Sequence, residues 1–287
     1  MTPDRFVPAT SSRLAWWIVC RRDLQDLWIG GKALWLLLAY TVIIGTVSFL
    51  AVKSSLQDPT PPKELIFTTF DIGIYICICM GVIIGADTVS GPRERSALET
   101  LLLTPASRRQ ILFGKYLAAI SIWPAALLVT IPCLAVLAQG DSVFGPAVVW
   151  GTALGFMLVL GFTGMAMLVS YWCNSNRTSY FVSLTLYLLF LLPALLPGRA
   201  QKGLVGKFFQ RANPLAAADQ YLERIIVNNR TYHEYGDWLR GPVWFLILII
   251  VLLLLYAGPR LRLQAGGGSL FRFNWGRTAQ PAKAGGM

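Results

Sequence analysis

Residues able to do acid–base, nucleophilic or metal chemistry are few in this chain, and they do not cluster. His233 is the single histidine, in a polar stretch where a solvated or packed side chain is the simpler expectation than a catalyst. Cys77, Cys79 and Met80 are soft-metal ligand types. On a helix, however, positions 77 and 79 lie about 200° apart and cannot grip one ion together, and cysteine and methionine also serve as apolar filler. The five cysteines, Cys20, Cys77, Cys79, Cys133 and Cys173, show neither a zinc spacing nor a secreted disulfide framework. A membrane enzyme needs clustered acids, bases or ligands, so no catalytic residue, metal site or cofactor is expected on this chain. Asp71 stands apart, because it lies inside a long apolar run. A carboxylate there is costly and faces a bundle interior or water, so Asp71 either lines a pathway or pairs with a loop cation. If its helix begins later, it is simply interfacial.

The densest polar chemistry is the segment Asp87–Lys115. Ser96 with Glu99 matches a capping box, which satisfies free N–H groups at a helix start. Leu98, Leu101 and Leu102 then share one face. Pro105 stops that helix, because the residue before a proline avoids helical geometry. Ser107 with Gln110 makes a second capping box whose helix can run straight into the next apolar run. The spacing therefore predicts a short amphipathic helix, a sharp corner, and a second helix joined rigidly to a hydrophobic one. Arg93, Arg95, Arg108 and Arg109 ring the apolar face and suit a docking surface with an acidic rim. On residue chemistry alone, an ordinary basic loop with helical ends explains the segment equally well.

The elements that must hold this segment are set by composition. The chain is 55% hydrophobic and 14% charged, against about 25% charge in an ordinary soluble domain, and its apolar residues come in runs. A spanning helix needs about 20 such residues. Six runs qualify: 33–52, 65–86, 116–138, 147–171, 180–197 and 238–257. The last requires Arg240 to snorkel toward the interface. The predicted fold class is an all-α integral membrane protein, one transmembrane domain over 1–264 with a mobile cytoplasmic tail, 265–287. Pro124 and Pro132 interrupt the third run and predict kinks. The outer loop 198–241 is too long for a simple connection; its amphipathic stretch Leu215–Ile226, after Asn213–Pro214, predicts short re-entrant or capping helices. Leu14–Trp28 has helical apolar spacing around Arg21 and Arg22. It reads as an amphipathic helix in the cytoplasmic interface, or as an extension of the first span, with Gly30–Gly31 as a bend. The first 32 residues lack the pattern of a cleavable signal.

The net charge of +11 does not mark a nucleic-acid binder, because Lys and Arg sit at the ends of apolar runs rather than on one face. With the N-terminus inside, 16 of the 25 fall on cytoplasmic pieces. Both termini are thus expected in the cytoplasm.

The stretch Arg93–Leu102, then Thr104-Pro105-Ala106-Ser107-Arg108, then Ile111-Leu112-Phe113-Gly114-Lys115 resembles the signature of ATP-binding-cassette type 2 exporter permeases. Their pattern runs roughly Glu-x-Gly-Thr-Leu-Glu-x-Leu-Leu, Ser/Thr-Pro-x-Ser/Thr-Arg and Ile-Leu-x-Gly-Lys. Ser96 and Ala97 depart from it where the family has Gly-Thr. Arg21-Arg22-Asp23-Leu24 is similar to the family's N-terminal Arg-Glu-Leu. The resemblance implies a permease subunit of the plasma (inner) membrane that pairs with a second permease subunit, the same or different, and docks ATP-binding-cassette ATPase subunits. Arg93, Glu94, Arg95, Leu98, Glu99, Leu101, Leu102, Pro105, Arg108 and Arg109 would form the ATPase-coupling element. No phosphate loop occurs, since Gly114-Lys115 lacks the upstream glycine and the following hydroxyl. ATP and Mg are therefore expected on the partner. The rival readings are an ion- or proton-coupled secondary transporter, which usually shows inverted repeats or several buried charges, and a non-transporting subunit relaying ATP-driven motion.

Overall fold

The computed structural model describes residues 15–57, 61–94, 108–138, 140, 142–195, 211–227 and 236–257. Among them there is no strand. The helices are α1 (Ala15–Trp28), α2 (Lys32–Gln57), α3 (Pro62–Glu94), α4 (Arg108–Ile120), α5 (Ile122–Ala138), α6 (Phe144–Trp172), α7 (Asn176–Leu195), α8 (Pro214–Ile226) and α9 (Gly236–Leu252), which closes in a π-helical turn, Leu253–Ala257. Five stretches are long and apolar enough to cross a membrane: Lys32–Leu56, Pro62–Glu94, Arg109–Ala138, Phe144–Trp172 and Gly236–Leu255. α7, at 20 residues, is not among these stretches.

Cross-helix contacts fix the directions. Lys32 meets Asp87 and Tyr40 approaches Gly73, so α2 and α3 are antiparallel. Phe70 meets Gly151 and Ala86 meets Ser170, so α3 and α6 are parallel. Tyr187 reaches the carbonyl of Tyr75 while Asn176 reaches Asp87, so α7 runs against α3. Tyr116 bonds Leu160 and Trp123 lies on Gly155, so α4–α5 runs against α6. Phe245 lies on Gly161 and Leu253 on Gly164, so α9 runs with α6. The result is an alternating up-and-down bundle.

α3 is the axle of that bundle, touching α2, α4, α5, α6, α7 and α8. Its 33 residues span about 50 Å at 1.5 Å per residue, more than the roughly 30 Å of bilayer hydrocarbon. The helix therefore continues past the predicted end at residue 86: Asp87–Glu94, expected as the start of a loop, is its last two turns. Small residues let α3 and α6 approach closely. A methyl at Gly85 would sit 2.6 Å from the Thr163 carbonyl oxygen, and one at Gly81 would sit 2.5 Å from Thr163 Oγ1. In contrast, α2 and α9 expose Trp35, Leu38, Val42 and Phe49, and Trp244, Leu248, Val251 and Leu255. Such faces suit hydrocarbon rather than water.

Three expectations are refined. The third run breaks at Ser121, not at a proline: Pro124 has no N–H for the carbonyl of Ile120, whereas α5 runs unbroken through Pro132. α1 turns its buried Val19 and Cys20 onto α4, while Trp17 and Ile18 of its apolar stripe stay exposed. A helix does occupy Pro214–Ile226, with the Asn213 side chain accepting from Leu215 N–H at 2.9 Å as its cap. Residues 198–210 and 265–287 lie outside the described residues.

Gly85→Val should wedge α3 from α6 and lower the thermal unfolding midpoint in detergent, as expected for overpacking worth about 1–3 kcal/mol. Gly45→Val, where nothing lies within 4 Å, should leave the midpoint near wild type. Equal midpoints for the two variants would contradict the crossing.

Candidate functional site

The last turns of α3 form a polar knot with three other helices. Pro92 inside α3 supplies no N–H to the carbonyl of Thr88, so the ladder is open there. Ser170 of α6 inserts into the turn just before. Its hydroxyl accepts from the N–H groups of Val89 (3.2 Å) and Ser90 (2.9 Å) and donates to the Ala86 carbonyl (2.7 Å). Ser179 of α7 donates to the same carbonyl at 2.8 Å. The Ser90 hydroxyl donates to Asn176 Oδ1 (2.8 Å), and Asn176 Nδ2 donates to Asp87 Oδ1 (2.9 Å). The other oxygen of Asp87 pairs with Lys32 at the start of α2. A side chain at Gly91 would collide with the Asp87 carboxylate, 2.2 Å away, so glycine is what lets that carboxylate lie along its helix. α2, α3, α6 and α7 are thus pinned at one level by the bonds among Lys32, Asp87, Ser90, Ser170, Asn176 and Ser179.

Beside the knot, α1 and α4 carry a second ion pair, Lys115 Nζ to Asp23 Oδ2 at 2.8 Å. Lys115 is only 6% exposed and Asp23 18%, whereas Lys32 is 46% exposed. The buried pair is thus far less screened by solvent. Between the two pairs lies a cleft of about 190 Å³ walled by Arg22, Asp26, Lys32, Asp87, Gly91 and Lys115.

The predicted coupling residues divide sharply. Arg95, Leu98, Glu99, Leu101, Leu102 and Pro105 lie outside the described residues. Arg108 opens α4, and Arg109 next to it is exposed. Arg93 and Glu94 engage the α6–α7 turn: Arg93 Nη1 donates to the Cys173 carbonyl (3.1 Å), and Glu94 accepts from Ser175 Oγ (2.9 Å) and Asn176 N–H (2.8 Å). Glu94 thereby caps α7 from a neighbouring helix. That N–H bond, and next the Ser175 bond, hold its carboxyl below the usual range. Sequence reasoning passed over Ser170 and Ser179, which give no motif signal, and gave no role in a site to Lys32, Ser90 or Asn176. It quoted Asp23 and Lys115 only as parts of separate motifs, Arg21–Leu24 and Ile111–Lys115; in space those motifs are ion-paired to each other.

Asp71 belongs to the opposite end of α3. It is half-buried, close enough to Asp219 of α8 for their charges to interact. α8 is too short to span a bilayer. Burial, and next the charge of Glu223, push the Asp219 carboxyl up to about 6. Arg211 and Arg224 stack over the Trp238 ring at 5.6 and 4.9 Å, fastening α8 to the start of α9.

These features define a class: a helical multi-pass membrane protein whose long central helix is locked, at one end of the bundle, to the segment that leads into the 95–107 stretch. Comparison with known proteins narrows it. Residues 68–258 match the family model described as ABC-2 family transporter protein, which is well over half of the chain, and the chain belongs to that family. Over 190 residues it is 25% identical to the "Probable ABC transporter permease protein NosY" of Stutzerimonas stutzeri, a match covering 61% of this chain and 66% of that protein.

Two outcomes follow. Asp23→Ala strands a buried ammonium and should destabilise the protein by about 3–5 kcal/mol; pairing it with Lys115→Met should recover much of the loss, and a double variant no better than Asp23→Ala would contradict the pairing. Second, the folded state holds the Asp219 proton up to about pH 6 while the unfolded chain releases it near 3.8. Because the folded state binds more protons between those values, stability falls as pH rises through that window and levels off above it. Asp219→Asn should raise the unfolding midpoint at pH 7.5 and flatten the slope between pH 4 and 6. An unchanged slope would show that Asp219 is not held in this way.

Proposed function

We propose that this chain is the membrane-spanning subunit of an ATP-driven exporter of the plasma (inner) membrane. Two permease subunits form the substrate pathway, and separate ATP-binding-cassette ATPase subunits bring ATP and Mg and carry out hydrolysis. In this reading the domain 1–264 crosses the bilayer six times, with Asn176–Leu195 as the fifth crossing, both termini in the cytoplasm and the bundle edges in contact with lipid. No nucleic acid is involved. Residues 87–115 receive the ATPase, with Leu98, Leu101 and Leu102 as the apolar contact and Arg95, Arg108 and Arg109 as its basic rim. Asp71, at the outer end of α3, lines the pathway.

One observation carries the reading. The 95–107 stretch, for which the sequence predicts a proline corner and two capping boxes, joins the end of α3 to the start of α4, and both neighbours are held: α3 by the polar knot, α4 by the Lys115–Asp23 pair. A push on that stretch would be delivered to the bundle's axle instead of dissipating in a loose loop. Family membership and the relative's name as a permease support the same reading. A subunit that relays ATP-driven motion without moving a solute uses the same elements, and it differs only in lacking substrate-stimulated hydrolysis.

Leu101→Asp should abolish co-purification of the ATPase, or uncouple its hydrolysis from transport, while the permease accumulates normally in the membrane. ATPase binding and transport that both survive would remove 87–115 from its assigned role. In intact cells, a membrane-impermeant thiol reagent should label a cysteine placed at Lys202 but not one placed at Ser107. The reverse pattern would invert the topology.

A further inference from the structure

The contact between α1 and α4 is closer and more varied than a helix merely resting on the bundle requires. From the Val19–Ile111 contact through Asp23–Lys115 to Trp28–Ser121 the two helices run in the same direction. The Trp16 ring meets Phe113 edge-on at 5.8 Å, Val19 packs on Ile111, Asp23 pairs with Lys115 at 2.8 Å, and Trp28 Nε1 donates to Ser121 Oγ at 3.1 Å. Between the first and third of these the backbones nearly touch: a methyl at Gly114 would stand 2.6 Å from the Trp16 carbonyl oxygen and 3.1 Å from the Cys20 nitrogen. Both helices then break at the same level. α1 ends at Gly30–Gly31, where Gly31 has φ +82°, a conformation natural to glycine. α4 ends at Ser121, whose N–H falls back on Ala118 at 3.3 Å. The Trp28–Ser121 bond ties the two breaks together. Just beyond them, Lys32 anchors α2 to Asp87 of the knot.

Building on the coupling role given above to residues 87–115, we propose that α1 and α4 are one rigid strut, clamped by Asp23–Lys115 and the Gly114 contact, which pivots on a paired hinge at Gly30–Gly31 and Ser121. A displacement delivered at the start of α4 then reaches two membrane helices at once, α2 through the α1 hinge and α5 through the Ser121 hinge. Asp23 and Lys115 act as positioning residues: they keep the two arms in step. A single arm would bend α5 alone and leave α2 behind.

The test uses the permease assembled with its partner ATPase, nucleotide-free and trapped with ATP and vanadate. Genetically encoded spin labels leave the native cysteines in place and occupy the exposed positions Ile18, Val42, Arg109 and Leu128. The Ile18–Arg109 distance should be narrow and unchanged on trapping, while Ile18–Val42 and Arg109–Leu128 shift. A shift in Ile18–Arg109 as large as the others overturns the strut but leaves the coupling role standing. A fixed Arg109–Leu128 distance, with nucleotide bound and hydrolysed, overturns the hinge together with that coupling role. Asp23→Asn should broaden the Ile18–Arg109 distribution and lower the share of hydrolysis coupled to transport, and the exchanged pair Asp23→Lys with Lys115→Asp should restore both. A distribution as narrow in Asp23→Asn as in wild type contradicts the clamp.

Discussion

A carbonyl in a bilayer has no water to bond, and a proline in a helix removes a donor that another group must replace. Near the end of α3, Pro92 withholds its donor from the Thr88 carbonyl, and just before it the Ala86 carbonyl takes hydroxyls from Ser170 and Ser179. Because those hydroxyls belong to α6 and α7, satisfying the backbone of α3 also joins three helices. Asp87 extends the joint to α2 and Asn176. Polar satisfaction and mechanical connection are here the same set of atoms. That joint lies one turn before the stretch in which the family resemblance is strongest, and it makes the stretch a handle on the bundle.

The two ends of α3 are built for different work. At one end Ser, Asn, Asp and Lys side chains are paired, and the helices are held in fixed relation. At the other, Asp71 and Asp219 bring carboxylates together, and the Asp219 carboxyl stays protonated to about pH 6 through burial and Glu223. One end of α3 is thus fastened by paired side chains, and the other gathers carboxylates against α8.

Much of this was legible in the sequence. The five long apolar helices followed from run length, because a bilayer sets a minimum that few soluble helices meet. The helix at Pro214–Ile226 followed from Asn213–Pro214, a cap and a first-turn residue whose local chemistry needs no tertiary context. The extension of α3 through Asp87–Glu94 was not legible. The apolar run ends at Ala86, and only partners 80 or more residues away, Ser170 and Asn176, hold the following turn in place. The face of α1 was likewise hidden: its apolar spacing suits lipid as well as it suits α4, and the choice depends on Gly114 and Lys115 opposite it. Arg93 and Glu94 were singled out as ATPase-coupling residues, and sequence could not reveal that they grip the Cys173–Asn176 turn.

The central claim is that this end of the bundle receives a nucleotide-hydrolysing partner, and a photo-crosslinking amino acid at Arg109, exposed at the start of α4, tests it most directly. Irradiation of living cells followed by mass spectrometry of the adduct should identify a protein that carries a phosphate-binding loop, and the adduct should fade when Leu101→Asp is introduced. An adduct formed only with lipid, or with a protein on the outer side of the membrane, would contradict the account.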